Sequence, residues 1–252
     1  MHTCTQKSYH PILEIEENRE ILSRNLGVRV VCTSTVALYG FMNRHLFSDI
    51  ISSIIGVKDA MSPSGFESRL FTYHPGAQQC SLLFCSYQLK NTIDFFLYQE
   101  EYINLLHHIV SVMMAFICMH PGSTHIYVAA SSSTEIPATI SSIYVHFDEN
   151  MRGHIPGLGK LFPKTKLILS LASGGTFLFF RIYFWFFVYK HYLLDLRRAL
   201  KTNRPSCQKW KKWIPPLITL SGILFYIQLM LLTTVLTYAV KMFTWGNMHS
   251  IH

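Results

Sequence analysis

Charge is what this chain has least of. Asp, Glu, Lys and Arg make up 14% of its 252 residues, against roughly 25% in an ordinary soluble domain. With half of the residues apolar, the composition excludes a disordered tail and a collagen-like chain. Cysteine is sparse and unpatterned: Cys4, Cys32, Cys80, Cys85, Cys118 and Cys207 form no Cys-x-x-Cys pair. Neither a zinc site nor a disulfide framework is expected, and no metal ligand set is read. The opening residues His2, Thr3, Gln6 and Lys7 supply no apolar signal core. Glu14, Glu16, Glu17 and Glu20 separate residues 12–20 from an Arg-rich, acid-poor presequence. Internal repeats and low-complexity tracts are absent as well.

What is present is apolar and aromatic. Mean hydropathy is +0.24, and Phe, Trp and Tyr reach 14%. A helix crossing a bilayer needs about 20 mostly apolar residues, so six use roughly 120 and leave space for loops. The pattern predicts an all-α fold, a multi-spanning transmembrane helical bundle of about six spans over residues 28–243. The spans are read at 28–56, 77–98, 102–119, 124–147, 167–193 and 213–240. Residues 1–27 are a polar N-terminal segment with a short interfacial helix over 12–25, and 244–252 are a polar tail. Asn43, Arg44 and Asp49 interrupt the first span, which reads as a crossing to about 43 and an amphipathic continuation. The Ser-Pro-Ser-Gly run at 62–65 and His120-Pro121-Gly122-Ser123 are chain breakers.

The net charge of +8 is concentrated. Between Lys190 and Lys212 stand eight basic residues and one acid, Asp195. A basic loop between two apolar segments reads as a membrane flank, on the cytoplasmic or matrix side. No aromatic-interleaved binding motif accompanies it, so nucleic acid is not an expected partner.

Polar residues inside the apolar runs carry the functional signal, because an ionisable group in hydrocarbon needs a partner or a role. Tyr87, Asn91, Asp94 and Tyr98 recur at helical spacing, with Lys90 beside them. Asn104, His107, His108, Ser111, Ala115 and Cys118 form a polar-to-small stripe on the next run. Ser131, Ser132, Glu135, Thr139, Ser142 and His146 do so on the fourth, and Arg181 is the one charge within Phe-Leu-Phe-Phe-Arg-Ile. One such stripe is a helix–helix contact; three of them with an arginine read as a shared cavity, or as ion pairs and core histidines that fix the packing. Pro137 removes a backbone hydrogen bond near Ser133 and is expected to kink the fourth helix beside Glu135.

In this order, Asp94 in Thr-Ile-Asp-Phe-Phe-Leu, the pair in Leu-Leu-His-His-Ile-Val-Ser, Glu135 in Ser-Thr-Glu-Ile-Pro-Ala-Thr and Arg181 resemble the TLC-domain membrane family, over about residues 80–240. That family includes the ceramide synthases and the translocation-associated membrane proteins. The resemblance implies a six-helix bundle around an intramembrane cavity. In the ceramide-synthase branch, His107 or His108 would be general base or acyl-accepting nucleophile, with Asp94 holding the imidazole and acyl-CoA as co-substrate. That branch carries a His-Asp-x-x-Asp run after the histidine pair. Here the region reads His125-Ile-Tyr-Val-Ala-Ala-Ser-Ser-Ser-Thr, with no aspartate before Asp148. The chain is therefore similar to a divergent member outside that branch.

The leading expectation is lipid binding or regulation in a polar cavity lined by Tyr87, Asn91, Asn104, Ser111, Ser132, Glu135, Thr139 and Arg181. The alternatives are an accessory subunit of a larger membrane complex and a fatty-acyl transferase using His107, His108 and Asp94. Expected partners are membrane lipids, with other complex subunits under the second reading. No cofactor is expected apart from acyl-CoA under acyl transfer. The resemblance favours the endoplasmic reticulum, with the mitochondrial inner membrane as the alternative.

Overall fold

A computed structural model of the chain describes residues 11–57, 60–98, 102–119, 125–151 and 153–249. The polar residues 1–10, the breaker at 120–123 and the end of the tail at 250–252 lie outside them. All regular elements among the described residues are helices, so the fold is all-α. Among the described residues two helical stretches are long and apolar enough to cross a membrane: Pro163–Lys201, 39 residues, and Ile214–Thr233, 20 residues. Tyr102–Cys118 is a shorter apolar helix. In the most apolar window of Pro163–Lys201 only 6% of residues are buried. Leu167, Leu171, Phe179 and Phe186 are exposed along it, as side chains facing lipid would be.

The chain forms two compact units. The first takes residues 1–35 and 135–176. Its helix Ile136–Tyr144 packs against Pro163–Thr176 and against the π-helix Ser23–Val30. Ser141 and Ser173 hydroxyls meet at 2.7 Å, and Thr139 Oγ1 donates to Thr33 Oγ1 at 2.9 Å. Beyond this contact the chain turns around Asp148, which is buried. Tyr144 Oη donates to its Oδ2 at 2.6 Å, and the Asn150 backbone and amide nitrogens donate to Oδ1. Burial works to raise the Asp148 carboxyl, but these hydrogen bonds and the Lys166 charge outweigh it and hold it below its ordinary value. Gly157, at φ +80°, supplies the left-handed residue that starts the next short helix.

The second unit takes residues 36–134 and 177–252. Its centre is the hairpin of Pro75–Tyr98 and Tyr102–Cys118, the most extensive helix pair in the chain. Proline at the first position suits the start of Pro75–Tyr98, where the lost N–H has no intrahelical partner. Ile214–His249 packs against Tyr102–Cys118 and against Trp185–Lys201, where Tyr189 and Phe225 stack with centroids 4.5 Å apart. The core runs from Phe47, Ile50 and Leu70 through Val110, Ala129 and Ala130 to Val188, Leu196 and Leu217. The run read over 28–56 is broken: Val31–Met42 ends before Asn43, a 3-10 turn covers Arg44–Phe47, and Ser48–Ile54 follows. Asn43 Nδ2 donates back to the Tyr39 carbonyl, satisfying a group at that helix end.

Three boundaries differ from the expectation, the first at the tail read from 244, which is helical to His249. The stretch read as a basic loop from 190 is helical to Lys201, because Asp195 lies fully buried on its inner side rather than in solvent. The run read over 124–147 is two helices, His125–Ser133 and Ile136–Tyr144, with a turn at Thr134 and Glu135. Pro137 lies in the first turn of the second helix, so the break falls where its ring forbids continuation.

Candidate functional site

The hairpin brings the histidine pair onto a polar helix face. Gln88 and Asn91 are one turn apart on Pro75–Tyr98, and Asn104, His108 and Ser111 lie at successive turns of Tyr102–Cys118. His108 Nδ1–H donates to Gln88 Oε1 at 2.6 Å, with both side chains buried. With the amide oxygen as acceptor, Nδ1 carries the proton of that bond, and the ring is held in one orientation. The His107 ring stands edge-on to His108 with centroids 5.5 Å apart. Ser111 is buried one turn beyond His108, Tyr87 is buried beside Gln88, and Asn104 is half-buried.

This centre is not closed by its own side chains. Asn91 is 1% exposed, and neither its Oδ1 nor its Nδ2 has a hydrogen-bond partner. His107 Nδ1 is likewise buried and unmatched, as is Gln228 Oε1 on Ile214–His249, the helix packed against Tyr102–Cys118. An amide left without partners costs roughly 1–3 kcal/mol, so each of these unmatched atoms asks for a ligand or water. Arg181 lies on the π-helix Phe177–Phe184 and is half-buried, close enough for its charge to act on His107. π-Helical turns recur at functional sites because the extra residue re-aims side chains.

Asp94 lies outside the pair. Its carboxylate takes the ammonium of Lys90, one turn away on the same helix. Gln88, not Asp94, holds His108 Nδ1, because Gln88 faces the histidine across the hairpin while Asp94 is used by its neighbour. Ser132 is buried, but its Oγ donates to the Val128 carbonyl of its own helix. Ser131 and Ser133 bond back in the same way, so these hydroxyls are satisfied within the helix. Glu135 and Thr139 belong to the first unit. There Glu135 is buried at the start of Ile136–Tyr144, and its carbonyl accepts from the Thr139 backbone N–H at 3.1 Å.

Sequence reasoning missed a second polar centre in the larger unit. Asp195, with no exposed surface, takes Arg69 Nε on Oδ2 at 2.7 Å and Arg69 Nη2 on Oδ1 at 2.9 Å. Tyr127 Oη donates to Oδ2 at 2.6 Å and Arg198 Nη1 to Oδ1 at 2.8 Å. Burial opposes the Arg69 charge, but the Asp195 carboxylate outweighs it and holds the guanidinium above its ordinary value. Beside it, Glu67 takes Arg204 Nη1 at 2.8 Å and Ser206 Oγ at 3.0 Å. The Arg204 hydrogen bond is the main cause that keeps the Glu67 carboxyl below its usual value. The signal was a lone acid among eight bases, which reads equally as a solvated residue. Every oxygen of Asp195 is matched, so this centre is a clamp and offers no chemistry.

Among the described residues no group of three or more His, Cys, Asp or Glu could hold a metal ion. Comparison with family models, with curated proteins and with solved structures finds no match.

Proposed function

We propose that this chain is an integral membrane protein, a TLC-like bundle of about six spans, that holds the polar group of a lipid between its second and third spans. The observation that carries the reading is the unmatched amide of Asn91, with His107 Nδ1 beside the ordered His108–Gln88 pair. An uncharged polar group on an apolar molecule would match those atoms while its chains stay among apolar side chains. The resemblance adds the endoplasmic reticulum as the compartment.

The test compares lipid that co-purifies with wild type and with Asn91→Leu from mild detergent, quantified by mass spectrometry at matched protein. Wild type is expected to carry a defined lipid and the variant to lose most of it. After complete delipidation the order of stability should invert, with Asn91→Leu the more stable, because it removes a buried amide without partners. Equal lipid content in the two proteins would sink the proposal.

Acyl transfer is the second reading, favoured by the single observation that Gln88 holds the His108 ring through Nδ1. His108 Nε2 would take the proton of the attacking group, with an acyl-CoA as donor. It predicts that Gln88→Leu and His108→Ala both abolish turnover while the protein still accumulates. Turnover unchanged in Gln88→Leu would remove it.

A further inference from the structure

The segment joining the two helices able to cross a membrane carries positive charge that the fold does not use. Seven Lys and Arg lie between Arg197 and Lys212. Two of them are committed, Arg198 to Asp195 and Arg204 to Glu67. The other five meet no carboxylate among the described residues. Arg197, Lys201, Lys209 and Lys212 are exposed, and Lys211 is half-exposed with its Nζ donating to the neutral Asn203 Oδ1 at 3.1 Å. The one acid of the segment, Asp195, is fully buried and cannot offset them from outside.

Aromatic placement goes with the charge. Lys209 Nζ lies 5.9 Å from the centroid of the Trp210 ring, and Lys212 Nζ lies 5.6 Å from that of Trp213. Both indoles are half-buried, and Ile214, fully packed, opens the apolar helix directly after them. Tryptophan prefers the headgroup level of a bilayer, where its ring is apolar and its N–H is wet. Lysines stacked on those rings are therefore held at the same depth, with ammonium protons left to donate. The face thus combines unspent cations, an aromatic belt and a hydrocarbon-crossing helix on either side.

We propose that the face formed by Arg197, Lys201, Lys209, Lys211 and Lys212 binds anionic phospholipid headgroups of the leaflet that these two helices enter. The chemistry is charge neutralisation of phosphate and carboxylate oxygens by exposed ammonium and guanidinium groups, which gathers several headgroups rather than seating one. It is independent of the polar centre at Asn91 and His107, whose unmatched atoms are buried among the helices.

The test uses the full chain in phosphatidylcholine nanodiscs doped with spin-labelled phosphatidylserine or, separately, spin-labelled phosphatidylcholine. Electron spin resonance reads the fraction of label immobilised on the protein. Wild type is expected to prefer phosphatidylserine at low salt and to lose that preference in high salt. Lys209→Gln/Lys211→Gln/Lys212→Gln should lower the preference roughly tenfold, while Lys160→Gln, an exposed cation of the other unit, leaves it unchanged. All four side chains are exposed or half-exposed, and an unshifted melting temperature verifies that the variants fold. No preference in wild type, or a preference retained in the triple variant, would overturn the proposal.

Discussion

A Cβ placed on Gly40 would lie 2.5 Å from the Ser133 backbone nitrogen and 2.9 Å from the Ser132 carbonyl carbon. Backbone cannot give way as a flexible side-chain end can, so here the missing side chain sets how closely Val31–Met42 approaches His125–Ser133. Small residues on the facing helix, Ala129, Ala130 and Ser133, complete a close contact of the kind membrane helices favour. Gly40→Ala is expected to destabilise the protein by about 1–3 kcal/mol through overpacking, read as a lowered melting temperature in detergent. Gly27, with open space around its Cβ position, is the control and should tolerate alanine. Asp148 makes a different residue-scale statement. Its folded carboxyl titrates below the ordinary value, so its contribution is full above about pH 4. It is lost as pH falls through the depressed folded value. Asp148→Asn should therefore narrow the acid stability difference: the variant is weaker than wild type at neutral pH, and the two converge in acid. A gap that stays constant down to the acid limit would remove this assignment.

At the scale of elements, the clamp on Asp195 ties three helices together: Phe66–Phe71 through Arg69, His125–Ser133 through Tyr127 and Trp185–Lys201 through Asp195 itself. A buried pair like this stabilises little against a well-packed apolar replacement, whereas losing one member strands a charge and costs about 3–5 kcal/mol. Asp195→Leu should thus be severe, and Arg69→Met/Asp195→Leu should recover much of the loss. If the double variant were no more stable than the single, the clamp would be something other than a charge pair. These same elements show where legibility ended. The apolar runs read over 77–98 and 102–119 lie in Pro75–Tyr98 and Tyr102–Cys118, because hydropathy and a helix-starting proline act locally. Pro137 marked a kink beside Glu135 for the same reason, although the structure goes further and ends one helix there. Asp195 was hidden because nothing local tells a buried aspartate from a solvated one; its three partners come from 3, 68 and 126 residues away. Gln88 went unread in the same way, since its role depends on facing His108 across the hairpin. The π-helical turns at Ser23–Val30 and Phe177–Phe184 leave no mark in the order of residues, because the choice between α and π register follows packing.

For the whole molecule, the contacts within the larger unit constrain how the chain threads a bilayer. Glu67 pairs with Arg204, so the segment before Pro75 and the loop after Lys201 meet. Two loops in contact at a membrane surface lie on one side of it, which requires an even number of crossings between residues 72 and 201. In the proposed six-span arrangement the runs at 77–98, 102–119, 124–147 and 167–193 would satisfy that parity; three or five crossings would not. Under the same proposal the unspent lysines of the second loop would place that side where the chain is made, since basic loops stay there. Both loops can be tagged without touching either clamp. Ser64→Cys and Asn203→Cys place single thiols on exposed residues of the two loops, in a background with the native cysteines replaced. In sealed, oriented vesicles a membrane-impermeant maleimide should label both positions or neither. If one labels and the other is protected, the parity is odd, and the six-span arrangement falls together with the shared side of the two loops.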